Sequence, residues 1–337
     1  DDGLLTVRGA FEIERNADNG LPISVTDGTY SEIRSFNGHG ELSSKQIFIN
    51  GVRVYEWNVE RNDAGQILQK LEMSANGPTV DYGFIYDAMG RLESVSQNGT
   101  AVENYAYDDR GVRVAETSQY KQVTDKPYAY SSEDHLLNAG DAAYTYNQDG
   151  FLTTRQENGQ ATQYTYGLTG DLIDVRLPNG DHITYDHDPF GRRIAKRLNG
   201  KVLEKYLWEG LTRLLAVHDS DDTCIMRFRY ADDRMPVALT YYGLPYYLVY
   251  DPVGSLKMVV DEAGNIVKQV TYDSFGHIIS DSAPSFKLPF GFAGGLYDPD
   301  TKLIRFGFRD YDPDIGRWTA KDPIFFAGGD TDLYGYC

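Results

Sequence analysis

Four aspartates recur in one setting. Asp87, Asp108, Asp188 and Asp273 each follow a tyrosine or histidine and stand three residues before a glycine: Gly90, Gly111, Gly191 and Gly276. Carboxylates placed so regularly raise the question of calcium. Calcium gathers about six to eight oxygens around one ion, and each of these turns supplies too few. The spacing points instead to side chains that accept bonds from backbone N–H groups inside a turn. His182 and His187 are five apart, so strand alternation puts them on opposite faces, which makes no ligand pair. Acids among many aromatics also suit glycoside hydrolysis. These aromatics recur along the chain, however, whereas a catalytic cleft needs one unique constellation. No nucleophile elbow, phosphate loop or zinc-binding helix motif is present. Neither a metal nor a cofactor is expected.

The elements that carry these aspartates follow from a repeat. Tyr86-Asp87-Ala88-Met89-Gly90-Arg91-Leu92 returns as Tyr107-Asp108-Asp109-Arg110-Gly111-Val112-Arg113 and as His187-Asp188-Pro189-Phe190-Gly191-Arg192-Arg193. Weaker copies end at Gly150 and Gly170, and another runs from Tyr272 to Gly276. Gly90 to Gly111 is 21 residues, Gly150 to Gly170 is 20, and Gly170 to Gly191 is 21. Asn-Gly pairs at Asn19, Asn37, Asn50, Asn76, Asn98, Asn158, Asn179 and Asn199 are interleaved with this series. Asn-Gly suits the type I′ hairpin turn, whose two central residues both need positive φ. Two reversals per repeat predict short antiparallel strands of about 5–6 residues.

Tyr105/Tyr107, Tyr128/Tyr130, Tyr144/Tyr146, Tyr164/Tyr166 and Phe228/Tyr230 are two apart. Each pair therefore shares a strand face and stacks on its neighbours. No window shows a capped helical period. The fold class is all-β: a coiled ribbon of short antiparallel hairpins, in a curved or spiral sheet that closes wholly or partly into a shell.

The charge narrows the partners. Lys and Arg total 32 against 50 Asp and Glu, a net charge of −18, which argues against nucleic acid. No apolar run is long enough for a membrane-spanning segment. Cys224 and Cys337 are the only cysteines, so no disulfide framework is available. The chain opens on Asp1-Asp2-Gly3 without Met and reads as a processed or excised piece.

Near Tyr246 the text becomes richer in Gly, Pro and Asp. Phe-Ala-Gly-Gly occurs at Phe292 and Phe326, and Tyr-Asp-Pro-Asp at Tyr297 and Tyr311. Residues 1–245 are therefore expected to form the ribbon and residues 246–337 a terminal cap or plug. The natural plug begins near Lys287, and the exposed end of a partial shell would otherwise recruit further copies of the chain.

The Tyr-Asp-x-x-Gly-Arg repeats resemble the YD-repeat, or Rhs (rearrangement hotspot), family, which includes teneurin-type shells. The more specific match is the core-terminal motif Arg309-Asp310-Tyr311-Asp312-Pro313-Asp314-Ile315-Gly316-Arg317-Trp318, followed by Thr319-Ala320-Lys321-Asp322-Pro323. The resemblance implies a secreted or cell-surface bacterial shell around a C-terminal toxin cargo. It also implies a self-cleaving aspartyl protease that begins at Asp-Pro-x-Gly, which makes Asp322 the candidate catalytic residue. Phe325 stands at the glycine position, and the second aspartate does not occur before Cys337. Because such catalysis needs two carboxylates, this chain alone is not expected to cleave anything. The alternative is an extracellular structural or adhesion protein that self-assembles, or binds a surface protein or carbohydrate through its repeats.

Overall fold

The computed structural model describes residues 3–75, 77–325 and 332–336. Over the described residues the chain is all-β, a long antiparallel ribbon with one three-residue helical turn at Phe292–Gly294. No helix among the described residues is long and apolar enough to cross a membrane. Residues fall into two compact units that interleave along the chain. One holds residues 3–102, Ile225–Thr271 and Ser280–Lys287; the other holds Glu103–Cys224, Tyr272–Ile279 and residues 288–336. The change of composition near residue 246 lies inside the first unit.

Two turn types generate the ribbon. At Asn50, Asn98, Asn158 and Asn199, φ lies between 50° and 52°, and Gly51, Gly99, Gly159 and Gly200 follow with φ of 74–82°. Both central residues are left-handed, as a type I′ turn requires. Asn179 differs: Gly180 donates to the carbonyl of Leu177, and only the glycine has positive φ. Pro178 precedes Asn179 and fixes φ near −65°, which starts a type I turn. Asn37 likewise begins a four-residue turn closed by Gly40. Asn76 lies outside the described residues.

The repeat's own turn is built around its aspartate. Asp87 Oδ1 accepts from the amides of Met89 and Arg91, both at 2.9 Å, while Oδ2 takes the Arg91 guanidinium at 2.6 Å. Gly90 donates to the Asp87 carbonyl and sits at φ 81°. Asp188 repeats every contact with Phe190 and Arg192, and Asp108 caps Arg110 and Val112. Gly111, Gly150, Gly170, Gly191 and Gly276 have φ between 73° and 93°. The Tyr-Asp-x-x-Gly-Arg string therefore encodes a turn: the acid satisfies two amides and one cation, and the glycine occupies the conformation that a Cβ penalises. The ladder shifts register at the preceding ring, as between Thr145 and Tyr146 and between Thr165 and Tyr166.

In the second unit, strands such as Ala142–Tyr146, Gln160–Tyr166 and His182–His187 send their aromatics to one face. Tyr128, Tyr144, Tyr164 and Tyr185 are buried there with Leu136, Leu152, Leu172 and Val175, and Tyr130, Tyr146 and Tyr166 pack beside them. Aliphatic side chains are thus interleaved with the rings in that layer. In the first unit, strands over residues 11–59 bury Phe11, Tyr30, Tyr55 and Trp57 against Val237, Tyr247, Val249 and Met258. Several strands outrun the expected length, and Val52–Arg61 reaches 10 residues.

Candidate functional site

The core-terminal motif forms a small sheet of its own: Leu296–Tyr297, Ile304–Phe306, Arg309–Asp312 and Arg317–Trp318. Tyr311 is fully buried at its centre, with ring centroids 4.7 Å from Tyr336 and 5.5 Å from Trp318. Its hydroxyl donates to the carbonyl of Phe275 at 2.7 Å. Pro313 follows Asp312 in a turn closed by the Gly316 amide on the Asp312 carbonyl, with Gly316 at φ 66°.

This sheet is fastened to the ribbon of the same unit by carboxylates. Lys196 reaches Asp298 at 2.7 Å and Asp300 at 2.5 Å, and the Tyr185 hydroxyl donates to Asp298 at 2.6 Å. Arg193 holds Asp310 at 3.0 Å. Arg305 bridges Asp310 at 2.8 Å to Asp171 at 2.9 Å. Arg155 pairs with Asp314 at 2.6 Å and Asp312 at 3.5 Å. Lys121 spans Glu116, Asp273 and the carbonyl of Asp314. The ribbon thus offers a row of cations, and the two Tyr-Asp-Pro-Asp copies together with Asp310 offer the matching acids.

Electrostatics follow the same division. Burial alone would raise Asp298, but Lys196 and Arg193 outweigh it and hold the carboxyl below its usual range. Asp314 is likewise lowered against its burial, chiefly by Arg155. Asp312 is raised, because its complete burial exceeds what Arg155 returns. His187 is pushed down to about 4 by burial and by the Arg305 and Arg193 charges. Paired this way, most of these buried charges are compensated, and removing one partner would strand the other.

The remaining sequence candidates fall around this sheet. Arg317 does not pack on Trp318. It forms two 2.7 Å bonds with Asp332 and lies over the Tyr130 ring at 4.9 Å. Arg309 is the guanidinium over Trp318, at 4.1 Å, and it pairs with Asp322 at 2.9 Å. Asp312 is paired with Arg317 and Tyr311 with Trp318 across the strands, so Arg317 and Trp318 face opposite sides. Asp322 and Pro323 open a turn in which Asp322 Oδ1 accepts from Ile324 at 3.0 Å and the Phe325 amide donates to the Asp322 carbonyl. Phe325 takes φ 51° in the glycine's place. Asp322 therefore serves as a turn cap and ion-pair partner, in the frame that the repeat aspartates use.

Asp273 keeps its turn role, accepting from Phe275 and His277, and adds Lys121. His182 pairs with Asp174 and does not join the half-buried His187. Cys224 is exposed, and Cys337 lies outside the described residues. Sequence reasoning missed Arg113, Lys121, Arg155, Arg193, Lys196 and Arg305. The available signal was the pair of acidic Tyr-Asp-Pro-Asp copies, which call for cations elsewhere.

The sequence pattern of the Teneurin YD-shell family matches residues 1–330. The chain belongs to that family. As a YD-shell segment it is 29% identical over 306 residues to mouse Teneurin-4 and 31% identical over 307 residues to zebrafish Teneurin-3. These alignments cover 88% and 89% of the chain but 11% of each relative, so the chain spans about a tenth of their length. The crystal structure of TcdB2-TccC3 superposes with a TM-score of 0.53 at 16% identity, over 96% of this chain and 21% of that one; this shows a shared fold. The YD-shell role is structural. The relatives named are animal proteins, which lend no support to the bacterial source implied by the Rhs resemblance.

Proposed function

We propose that this YD-shell segment encloses a polypeptide cargo and holds the start of that cargo on the ribbon. The carrying observation is the cation row that seats the core-terminal motif. Through Arg155, Arg193 and Lys196 the ribbon binds the acids of residues 298–314, and the motif's own Arg317 binds Asp332 beyond them. The chain leaving the motif is thereby returned to the ribbon: the Tyr334 hydroxyl donates to the carbonyl of Gly150 at 2.7 Å. Secretion or display at a cell surface fits this reading, and a toxin is one cargo class compatible with it.

The second reading, a surface protein that self-assembles or binds protein or carbohydrate partners, is favoured by the identity to animal teneurins. Limited proteolysis of the full-length protein separates the two. An enclosed cargo stays intact at protease concentrations that cut the same sequence expressed alone. Equal cleavage of both overturns enclosure and leaves the surface reading.

A further inference from the structure

The Asn-Gly pairs invite a chemistry that the shell role does not use. In such a pair the amide nitrogen of the glycine can attack the asparagine Cγ. The N–Cγ bond forms as the Cγ–Nδ2 bond breaks, and ammonia leaves with the glycine's amide proton. Water then opens the cyclic imide at either carbonyl, giving aspartate or isoaspartate. No oxidant or cofactor is required. The asparagine side chain must swing toward the next nitrogen, so any hydrogen bond that pins its amide group opposes the reaction.

The described pairs differ in this respect. Asn19 Oδ1 accepts from Leu21, and Asn37 Oδ1 accepts from His39 and Glu41. Asn50 Nδ2 donates to the Glu262 carbonyl at 2.7 Å, and Asn98 Oδ1 accepts from Asp81 at 2.9 Å. Asn179 is tied to Asp181, and Asn199 to both His182 and Asp181. Asn158 is exposed, and its side chain has no hydrogen bond among the described residues. Gly159 beyond it has nothing within 4 Å of where a Cβ would stand, and its amide lies in the turn, outside the strand ladder.

We infer that Asn158-Gly159 is a built-in site of spontaneous deamidation, converting ahead of the other described Asn-Gly pairs. The turn joins Leu152–Glu157 to Gln160–Tyr166. Isoaspartate there adds a backbone atom to a two-residue hairpin and places a new negative charge beside Glu157. That combination disfavours the type I′ geometry and marks an aged copy of the shell.

The folded chain is incubated at mildly alkaline pH and followed by charge separation, with isoaspartate mapped by peptide mass spectrometry. The first shift of one acidic charge among the described pairs is expected at Asn158, and Asn158→Ala removes that shift. In denaturant the lead of Asn158 over Asn98 and Asn199 is expected to vanish, because the pinning bonds are gone. Earlier conversion at Asn98 or Asn199 in the folded chain overturns the inference. So does a lead for Asn158 that survives unfolding.

Discussion

Arg113 donates to the carbonyl of Ile315, and the next residue, Gly316, is a glycine because that guanidinium lies against it. A Cβ at Gly316 would also stand 2.9 Å from the Phe275 ring, on a backbone already at φ 66°. Arg113 is itself held over the rings of Phe275, Tyr105 and Tyr128, at 4.3, 5.1 and 5.3 Å. A residue of the repeat and a residue of the terminal motif, 203 positions apart (316 − 113), thus fix one another.

Arg113→Ala removes a buried cation from beside Glu116 and unseats the Ile315 carbonyl. The expected loss is about 1–3 kcal/mol, the range for leaving a buried hydrogen-bonding group such as that carbonyl without its partner. Gly316→Ala should lose about 2 kcal/mol or more through strain and overpacking. Because both act on one contact, denaturant unfolding should show the double variant to be less damaged than the sum. Strict additivity would count against the contact.

The turn glycines separate strain from packing. Gly191 has φ 73° and the Phe308 ring against its Cβ position, whereas Gly200 has φ 82° and open space. Gly200→Ala should lose about 1–2 kcal/mol through strain alone. Gly191→Ala should lose more, and Gly191→Val more again. Equal melting temperatures for the Gly191 and Gly200 variants would remove Phe308 from the account.

Phe325 occupies a left-handed position with an L side chain. Phe325→Gly is expected to raise stability by about 1 kcal/mol through relief of that strain. A destabilised variant would show that the ring's approach to Lys321, at 5.3 Å, outweighs the backbone.

How much was legible in the sequence follows the reach of each interaction. The turns of Asp87, Asp108 and Asp188 were readable because acid, glycine and, at Asp87 and Asp188, arginine lie within five residues of one another. Asn179 departs from the type I′ Asn-Gly pairs because Pro178 fixes the backbone ahead of it. The cation row was hidden: Arg193 and Asp310 are 117 residues apart and Arg155 and Asp314 are 159 apart, so no local pattern joins them. That Arg309, and not Arg317, lies over Trp318 was also hidden, because spacing alone does not say which face of a two-residue strand meets the ring.

Acid should weaken the first unit in a defined window. Glu32 and Glu72 are buried, which would raise them, yet Lys45 and Arg34 hold the first at about 2 and Lys70 and Lys257 hold the second at about 2. Folded-state values below the usual 4.5 mean that their stabilisation is fully present above that pH and is lost as pH falls toward 2. Thermal melting across that range should show a falling midpoint, and Glu32→Gln should reduce both the stability near neutrality and the acid slope. A midpoint unchanged down to pH ~2 would contradict the assignment.

Ion pairs seat the terminal motif on the ribbon of the second unit. Hydrogen exchange of wild type beside Arg193→Ala and Arg155→Ala tests that seating most directly. Residues 304–318 should exchange faster in both variants, while strands such as Gln160–Tyr166 keep their protection. Unchanged protection over residues 304–318, or its loss together with that of the ribbon strands, would contradict it.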